Sequence, residues 1–387
     1  MNEHEEGHEE RRDEGRDEGT DTERTLASRA GMPTGPVDGT VVHFLVLDAD
    51  TGAPRRIAVE ATPLVIGRVP PAAIVLEGSA VSRRHCLVDR AGDQVRLTDL
   101  GSTNGTFVDG LRIAEPTMLA DGAQLRIGPH TLRYERRRRE EALAAASLAS
   151  DIARARGYVN ALLPPPITDG PVRVAWTFQP CAALGGDAFG YHRDGDWFCA
   201  YILDVSGHGV GAAMHSVSVM NVMRQQALPG TDMRDPAAVL GALNDMFDMD
   251  RHHGMYFTMW YGALHLPSRR LAYAAGGHHP AVLHAPDSGR VGKLPGRGAG
   301  IGTMPGFAYR AAGVELPAGA RLHLFSDGAV ELAEDVAEPW GMAQVAESLC
   351  APGHWADGPE RLYRRVRALS RMRPLDDDFS VLTVQLD

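Results

Sequence analysis

The sequence predicts a multidomain protein: an all-β sandwich, a helical linker, and an α+β layered domain. Three observations carry this prediction. The chain has 387 residues, too many for one ordinary core. Short runs rich in Val, Ile and Leu, separated by clusters of Gly, Asp, Asn and Pro, fill residues 41–134. A stretch rich in Ala, Glu and Arg follows, and beyond it apolar strand-like runs are mixed with amphipathic helix-like ones.

Composition narrows the class. Apolar residues make up 44% of the chain and charged residues 23%, as in folded globular proteins. No apolar run approaches the roughly 18 residues of a membrane span, and the acidic N-terminus lacks the features of a secretory signal. No membrane association is expected. Cys86, Cys181, Cys199 and Cys350 are scattered without a Cys-x-x-Cys pair. That spacing argues against structural zinc and a disulfide framework, and it fits a reducing compartment, hence a cytoplasmic protein. A net charge of −11 argues against nucleic acid, whose backbone needs a basic face. The first 25 residues hold 11 acidic side chains and 4 Arg, so they carry −7 of that charge and the remainder is mildly acidic.

Residues 1–38 read as a disordered acidic tail with the direct repeat Arg12-Asp13-Glu14-Gly15, Arg16-Asp17-Glu18-Gly19 and almost no core-forming side chains. Residues 39–134 form the β domain, with strands expected at Val41–Leu47, Ile57–Ala61, Leu64–Ile66, Cys86–Asp89, Val95–Asp99 and Leu125–Tyr134. Residues 135–166 form the linker, helical from Glu135 to Leu163 and stopped by Pro164-Pro165-Pro166. Leu148, Ile152, Ala155, Val159 and Leu162 make a short seam, which suits either packing on its own domain or a homodimer. Residues 167–387 form the α+β domain. Strands are expected at Trp197–Asp204, Phe257–Leu266, Leu271–Ala275, Arg321–Phe325 and Ser380–Leu386. Helices are expected at Gly211–Leu228, Pro236–Met249, Met342–Leu349 and Pro359–Ser370.

Three loops of the β domain carry chemistry: Gly67-Arg68, Ser82-Arg83-Arg84-His85 and Ser102-Thr103-Asn104-Gly105-Thr106. The planar guanidinium of Arg pairs with phosphate oxygens, and a hydroxyl such as Ser82 adds a neutral donor. Asn104 can pair with a peptide backbone, and Gly105 permits a turn that a β-carbon would forbid. In order and spacing these blocks, with Asp99-Leu100-Gly101, resemble the forkhead-associated (FHA) family over about 95 residues. The resemblance implies a phosphothreonine-peptide reader in which Arg68, Ser82, Arg83 and Thr103 contact phosphate and Asn104 the peptide, with His85 and Gly67 supporting the loops.

In the α+β domain, carboxylates stand at turns and strand ends: Asp187 after Gly185-Gly186, Asp204 before Val205-Ser206-Gly207-His208-Gly209, Asp327 in Ser326-Asp327-Gly328, and Asp376-Asp377-Asp378 before the last strand. Four such sites can converge on one cluster. Hard oxygen donors select Mg²⁺ or Mn²⁺ over zinc, and acids gathered without cations would be prohibitive to bury.

In this order the blocks resemble the PPM (protein phosphatase 2C-like) family, in the branch of the sporulation stage II E phosphatase and stress-response regulators, from about Leu162 to the C-terminus. The resemblance implies an α-β-β-α sandwich and a metal-dependent serine/threonine phosphatase. Asp187 and Asp204 would bridge two ions, joined by the Val205 carbonyl, with Asp327 and Asp377 completing the site. Asp377 is preferred because the family's ligand lies three residues before a hydroxyl, here Ser380, and Asp378 is the fallback. The implied mechanism is in-line attack by a water that two metals activate. Gly277-His278-His279-Pro280 matches a family loop and, without a third soft ligand, reads as structural. The sequence departs from eukaryotic members at two places. Ala183 stands where those members hold phosphate with Arg, and His208 sits two residues later than their general acid. The branch commonly acts on phosphorylated anti-sigma-factor antagonists or on targets of bacterial Ser/Thr kinases. The alternative is a catalytically inactive, phosphatase-like scaffold that binds phosphopeptides. Gly185-Gly186-Asp187-Ala188-Phe189 also looks like a diguanylate cyclase signature, but Ala188 replaces an acid which that chemistry uses.

Overall fold

The computed structural model describes residues 41–47, 54–332, 336, 338–371 and 373–387; the tail predicted for residues 1–38 lies outside them. The chain divides into two compact units, residues 1–148 and 149–387.

The first unit contains β1 (Val41–Leu47), β2 (Arg55–Ala58), β3 (Leu64–Gly67), β4 (Ile74–Val75), β5 (Cys86–Ala91), β6 (Gln94–Asp99), β7 (Thr106–Val108), β8 (Leu111–Arg112), β9 (Thr117–Met118), β10 (Gln124–Ile127) and β11 (His130–Arg138). They form a six-stranded sheet, β2-β1-β11-β10-β7-β8, and a five-stranded sheet, β4-β3-β5-β6-β9. Strict alternation explains the sandwich. Val95 and Leu97 of β6 and Leu125 and Ile127 of β10 enter one core with Leu45, Ile66, Val88 and Leu132, while their chain neighbours stay outside it. The predicted strand Leu125–Tyr134 is instead a hairpin, because Gly128 takes a φ of +59° and turns the chain between β10 and β11.

The linker helix α1 (Arg139–Leu162) begins four residues later than composition predicts. Residues 135–138 continue β11, paired with Val41–Phe44 of β1, and cross-strand pairing overrides their helix propensity. The predicted seam is split. Val159 and Leu162 are buried in the core of the second unit with Ile152 packed against it, whereas Leu148 is 60% exposed. Val159 and Leu162 therefore take the first of the two roles read from the spacing, packing on their own domain.

The second unit adds β12 (Val172–Gln179), β13 (Ala188–Asp194), β14 (Trp197–Val205), β15 (Phe257–His265), β16 (Arg270–Gly276), β17 (Ala281–Ala285), β18 (Arg290–Leu294), β19 (Ala312–Glu315), β20 (Arg321–Phe325) and β21 (Phe379–Leu386). Its helices are α2 (Val210–Arg224), α3 (Pro236–Met246), α4 (Met342–Cys350) and α5 (Gly358–Leu369). The strands form two antiparallel five-stranded sheets, β12-β21-β20-β17-β18 and β13-β14-β15-β16-β19. Both are buried on two faces, which is why β14 and β21 read as nearly unbroken apolar runs. Phe198, Ala200 and Ile202 of β14 meet Leu382 and Val384 of β21 between the sheets. Cys199, Tyr201 and Leu203 pack outward with residues of α2 and α3. Phe379 and Val381 pack on the other outer side with Val345 and Leu349 of α4 and Leu362 and Val366 of α5. The order helix, sheet, sheet, helix makes an α-β-β-α sandwich. The start of α3 follows from local chemistry: Asp235 caps the N–H groups of Ala237 and Ala238, and Pro236 occupies the first turn.

Candidate functional site

In the first unit, the ring of His85 joins two of the predicted loops. The Ser82 N–H donates to His85 Nδ1 at 3.1 Å. Nδ1 is thus the acceptor, leaving Nε2–H to donate to the Gly105 carbonyl at 3.2 Å. The third loop is tied through the backbone, since the Arg68 N–H donates to the Ser82 carbonyl at 3.0 Å. A β-carbon on Gly67 would collide with the Arg83 carbonyl, so only glycine allows these loops to approach. Thr103 N–H donates to Ser82 Oγ at 3.1 Å, which brings the two hydroxyls to 3.5 Å. The Asn104 side chain donates to the Ala80 carbonyl at 2.9 Å. Arg68, Arg83, Thr103 and Asn104 are exposed and Ser82 is half-buried, an open group of donors suited to an anion.

Asp99, which the sequence offered only as part of a motif, organises the loop beneath. Its carboxylate accepts from Ser102 Oγ, Thr106 Oγ1 and the N–H groups of Gly101 and Ser102. Burial alone would raise its carboxyl, but the hydrogen bonds from Ser102, Thr106 and Gly101 outweigh it and hold the group down at about 2.

In the second unit the structure gathers Asp187, Asp204, Asp327 and Asp377 into one field. Asp187 immediately precedes β13, Asp204 is the penultimate residue of β14, Asp327 follows β20, and Asp377 lies just before β21. Neighbouring strand ends of both sheets thus deliver the four acids. Burial, then Asp204 and Asp378, push Asp187 well above the carboxylate range. Burial, then Asp327, Asp377 and Asp378, raise Asp204 to about 8. Burial is also the main cause for Asp327, reinforced by Asp377, and for Asp377. All four shifts run the same way, because burial and like charge disfavour the ionised carboxylates.

The fit to cations rests on two atoms. Asp187 Oδ1 and Asp327 Oδ1 are buried without a hydrogen-bond partner, although Asp187 Oδ2 accepts from Ser380 Oγ at 2.6 Å. Acceptor-only oxygens left unpaired inside a cluster of like charge suit hard divalent ions. Val205 ends β14, and a β-carbon on Gly186 would sit 3.2 Å from its carbonyl oxygen. The Gly185-Gly186 pair therefore serves close approach.

Asp378 has a different job from Asp377. Its Oδ1 accepts from Cys181 N–H at 2.8 Å, and its Oδ2 from the N–H groups of Gly186 and Asp187 at 2.6 and 3.2 Å. With both oxygens committed to the backbone, Asp378 fastens the loop that presents Asp187. Sequence reasoning missed this clamp and the Ser380 bond, although the Asp377-Asp378-Phe379-Ser380 block contained both. It also missed Ser326, which is fully buried, donates to the Asp378 carbonyl at 3.0 Å and accepts from Ser380 N–H at 3.1 Å. The exposed His208 lies near Asp377 and His279 near Asp327, close enough to temper the upward shifts that burial imposes on both acids. A cleft of about 120 Å³ opens beside Asp377, lined also by Gly328, Glu331, Ser370 and Arg373. Among the described residues no helix is long and apolar enough to cross a membrane.

Comparison with known proteins returns the same two blocks. The family model for stage II sporulation protein E (SpoIIE) matches residues 194–387, and the FHA domain model matches residues 64–128. The chain is 24% identical over 209 residues to the phosphoserine phosphatase RsbU of Bacillus subtilis, covering 53% of this chain but only 61% of RsbU. It is 32% identical over 105 residues to the FHA domain-containing protein FhaB of Mycolicibacterium smegmatis, covering 27% of this chain and 68% of FhaB. Among solved structures, the SiaA-PP2C domain of Pseudomonas aeruginosa superimposes with a TM-score of 0.54 at 21% identity, covering 64% of this chain and all of that domain. That likeness is one of fold.

Proposed function

The chain belongs to the stage II sporulation protein E (SpoIIE) family and carries an FHA domain, and from that premise we propose that it is a metal-dependent protein serine/threonine phosphatase directed or regulated by phosphothreonine reading. The observation that carries the reading is the convergence of Asp187, Asp204, Asp327 and Asp377 with two unpaired buried oxygens, Asp187 Oδ1 and Asp327 Oδ1. Asp187, Asp204, Asp327, Asp377 and the Val205 carbonyl would hold two Mn²⁺ or Mg²⁺ ions. Asp378 is assigned to the clamp rather than to direct ligation.

When bound, such ions supply positive charge for the phosphoryl oxygens and a water acidic enough to ionise near neutral pH. The chain's own part is positional. Ser380 fixes one oxygen of Asp187 and leaves the other turned into the cluster, while Asp378 keeps the Asp187 loop against the last strand. Burial of Asp187 and Asp204 excludes solvent that would otherwise screen the site.

The substrate class is a phosphoserine or phosphothreonine protein, and the name of RsbU, a phosphoserine phosphatase, supports this. An anti-sigma-factor antagonist or a Ser/Thr kinase target fits. Arg68, Ser82, Arg83, Thr103 and Asn104 would receive a phosphothreonine peptide. Four free cysteines accord with the cytoplasm. A dimer through α1 has Leu143, Leu148 and Tyr158 to offer, all exposed. The test is hydrolysis of a phosphoserine protein by the full chain: activity should vanish with chelator and return with Mn²⁺ or Mg²⁺. Chelator-resistant hydrolysis would contradict the metal assignment, and no hydrolysis under any metal would leave a phosphopeptide-binding scaffold.

A further inference from the structure

A second gathering of side chains of metal-ligating type lies on the opposite side of one sheet from the inter-sheet core. His284 of β17, His323 of β20 and Cys350, the last residue of α4, each present a ligand atom, and the three atoms lie within 4.8 Å of one another. Register explains the gathering. His323 pairs with Val282 of β17 and Thr383 of β21, and His284 pairs with Arg321, so both imidazoles lie on the face that carries Val282. That face also carries Arg321 and the buried Thr383 and Gln385, and it continues into the apolar bed of Val282, Phe325 and Val381 under α4 and α5. Two imidazoles there need a reason.

Their hydrogen bonding is incomplete in a specific way. His323 Nδ1 bonds Thr383 Oγ1 at 2.9 Å while its Nε2 is buried without a partner. His284 Nδ1 is likewise buried without a partner. In His323, one ring nitrogen held by a hydroxyl and the other left bare is an arrangement suited to a metal-ligating histidine with an orienting partner. We propose that His284, His323 and Cys350 form a site for one thiophilic divalent cation, zinc by class, which pins the C-terminal end of α4 to the sheet that delivers Asp327 and Asp377. Two imidazoles, a thiolate and one open position match tetrahedral zinc, and hard ions such as Mg²⁺ would be poorly served.

Burial sets the protonation states of the three groups. Burial, with lesser effects from His284 and the Arg321 and Arg361 guanidiniums, holds His323 down at about 3, so it is already the neutral ligand. Burial also lowers His284, helped by Arg321, and it pushes the Cys350 thiol up to about 11. Cation binding would release the thiol proton to solvent, leaving a thiolate that neutralises part of the ion's charge. Those guanidiniums are directed elsewhere, Arg321 to Gln385 Oε1 and Arg361 to the Ser348 and Ala351 carbonyls. The absence of a Cys-x-x-Cys pair excludes only sites written as local motifs. This one is assembled by strand register.

The site is independent of the hydrolysis reading, and its test reads binding. Full-length protein, stripped with chelator, is titrated with Co²⁺. The expected result is a sulfur-to-cobalt charge-transfer band saturating at one ion per chain and displaced by Zn²⁺. The band should be lost in Cys350→Ser and His284→Gln but retained in Cys181→Ser, whose thiol lies beside Asp377 and Asp378. In wild-type protein, which needs no altered fold, Zn²⁺ but not Mg²⁺ should slow alkylation of Cys350 by at least about tenfold. No band in the wild type, a band that survives Cys350→Ser, one lost in Cys181→Ser, or Cys350 alkylation unaffected by Zn²⁺ would each overturn the proposal.

Discussion

Ser380 Oγ donates a 2.6 Å hydrogen bond to Asp187 Oδ2, joining the last strand to a carboxylate 193 residues earlier in the chain. That bond aims the acid rather than adding a ligand. Ser380→Ala should therefore weaken metal binding by about 10- to 100-fold, the usual effect of losing an outer partner. Activity should recover substantially at high Mn²⁺. An unchanged Mn²⁺ dependence in steady-state assays would show that Ser380 has no positioning role.

Asp377 and Asp378 are adjacent yet should respond oppositely to substitution. Asp377→Asn removes one negative charge from a crowded cluster, so in chelator its thermal midpoint should equal or exceed the wild type's. The stabilisation that Mn²⁺ gives should be lost. Asp378→Ala strips the acceptor from three backbone N–H groups and should cost about 2–4 kcal/mol with or without metal. Thermal unfolding in chelator and in Mn²⁺ separates the two; equal behaviour would refute the division of labour.

For the β unit, Arg68→Ala should weaken binding of a phosphothreonine peptide by about 2–4 kcal/mol, since a charge-assisted pair is lost. The unphosphorylated peptide should bind neither protein. Calorimetry that gives equal affinity for both would remove Arg68 from the phosphate contact.

Asp99 gives a pH signature. Its folded carboxyl stands at about 2, below the ordinary value of 3.8, so the unfolded chain takes up the proton first as pH falls. The stabilisation from Asp99 is full above about 4 and disappears as pH approaches 2. The stability gap between wild type and Asp99→Asn should narrow across that window, followed by intrinsic fluorescence on acid titration. A gap independent of pH would mean that the four hydrogen bonds do not hold the ionised form.

Much of this was legible in the sequence because the relevant chemistry is local. The strand-end positions of Asp204 and Asp327 follow from apolar runs that stop at them, and the loops around Arg68, Ser82 and Thr103 are marked by glycine and polar residues. What was not legible depends on register or pairing. The helical composition of 135–138 was overridden by pairing with β1. The seam through Val159 and Leu162 gave no sign of which surface would bury it. Asp378 and Asp377 are the same residue type one position apart, and only the three N–H groups facing Asp378 tell them apart. Gly185-Gly186 looked like an ordinary turn because the Asp378 carboxylate and Val205 carbonyl that crowd it come from distant segments.

The most direct test of the central claim is the rate of phosphoprotein hydrolysis by Asp204→Asn in saturating Mn²⁺. Asp204 is the penultimate residue of its strand, raised to about 8 by burial and by Asp327, Asp377 and Asp378. The substitution keeps its shape and removes one of the negative charges that would hold the two ions. The rate should fall by at least about 100-fold, with phosphothreonine-peptide binding by the β unit unchanged. An Asp204→Asn protein that hydrolyses at the wild-type rate would contradict the account and place the chemistry elsewhere in the chain.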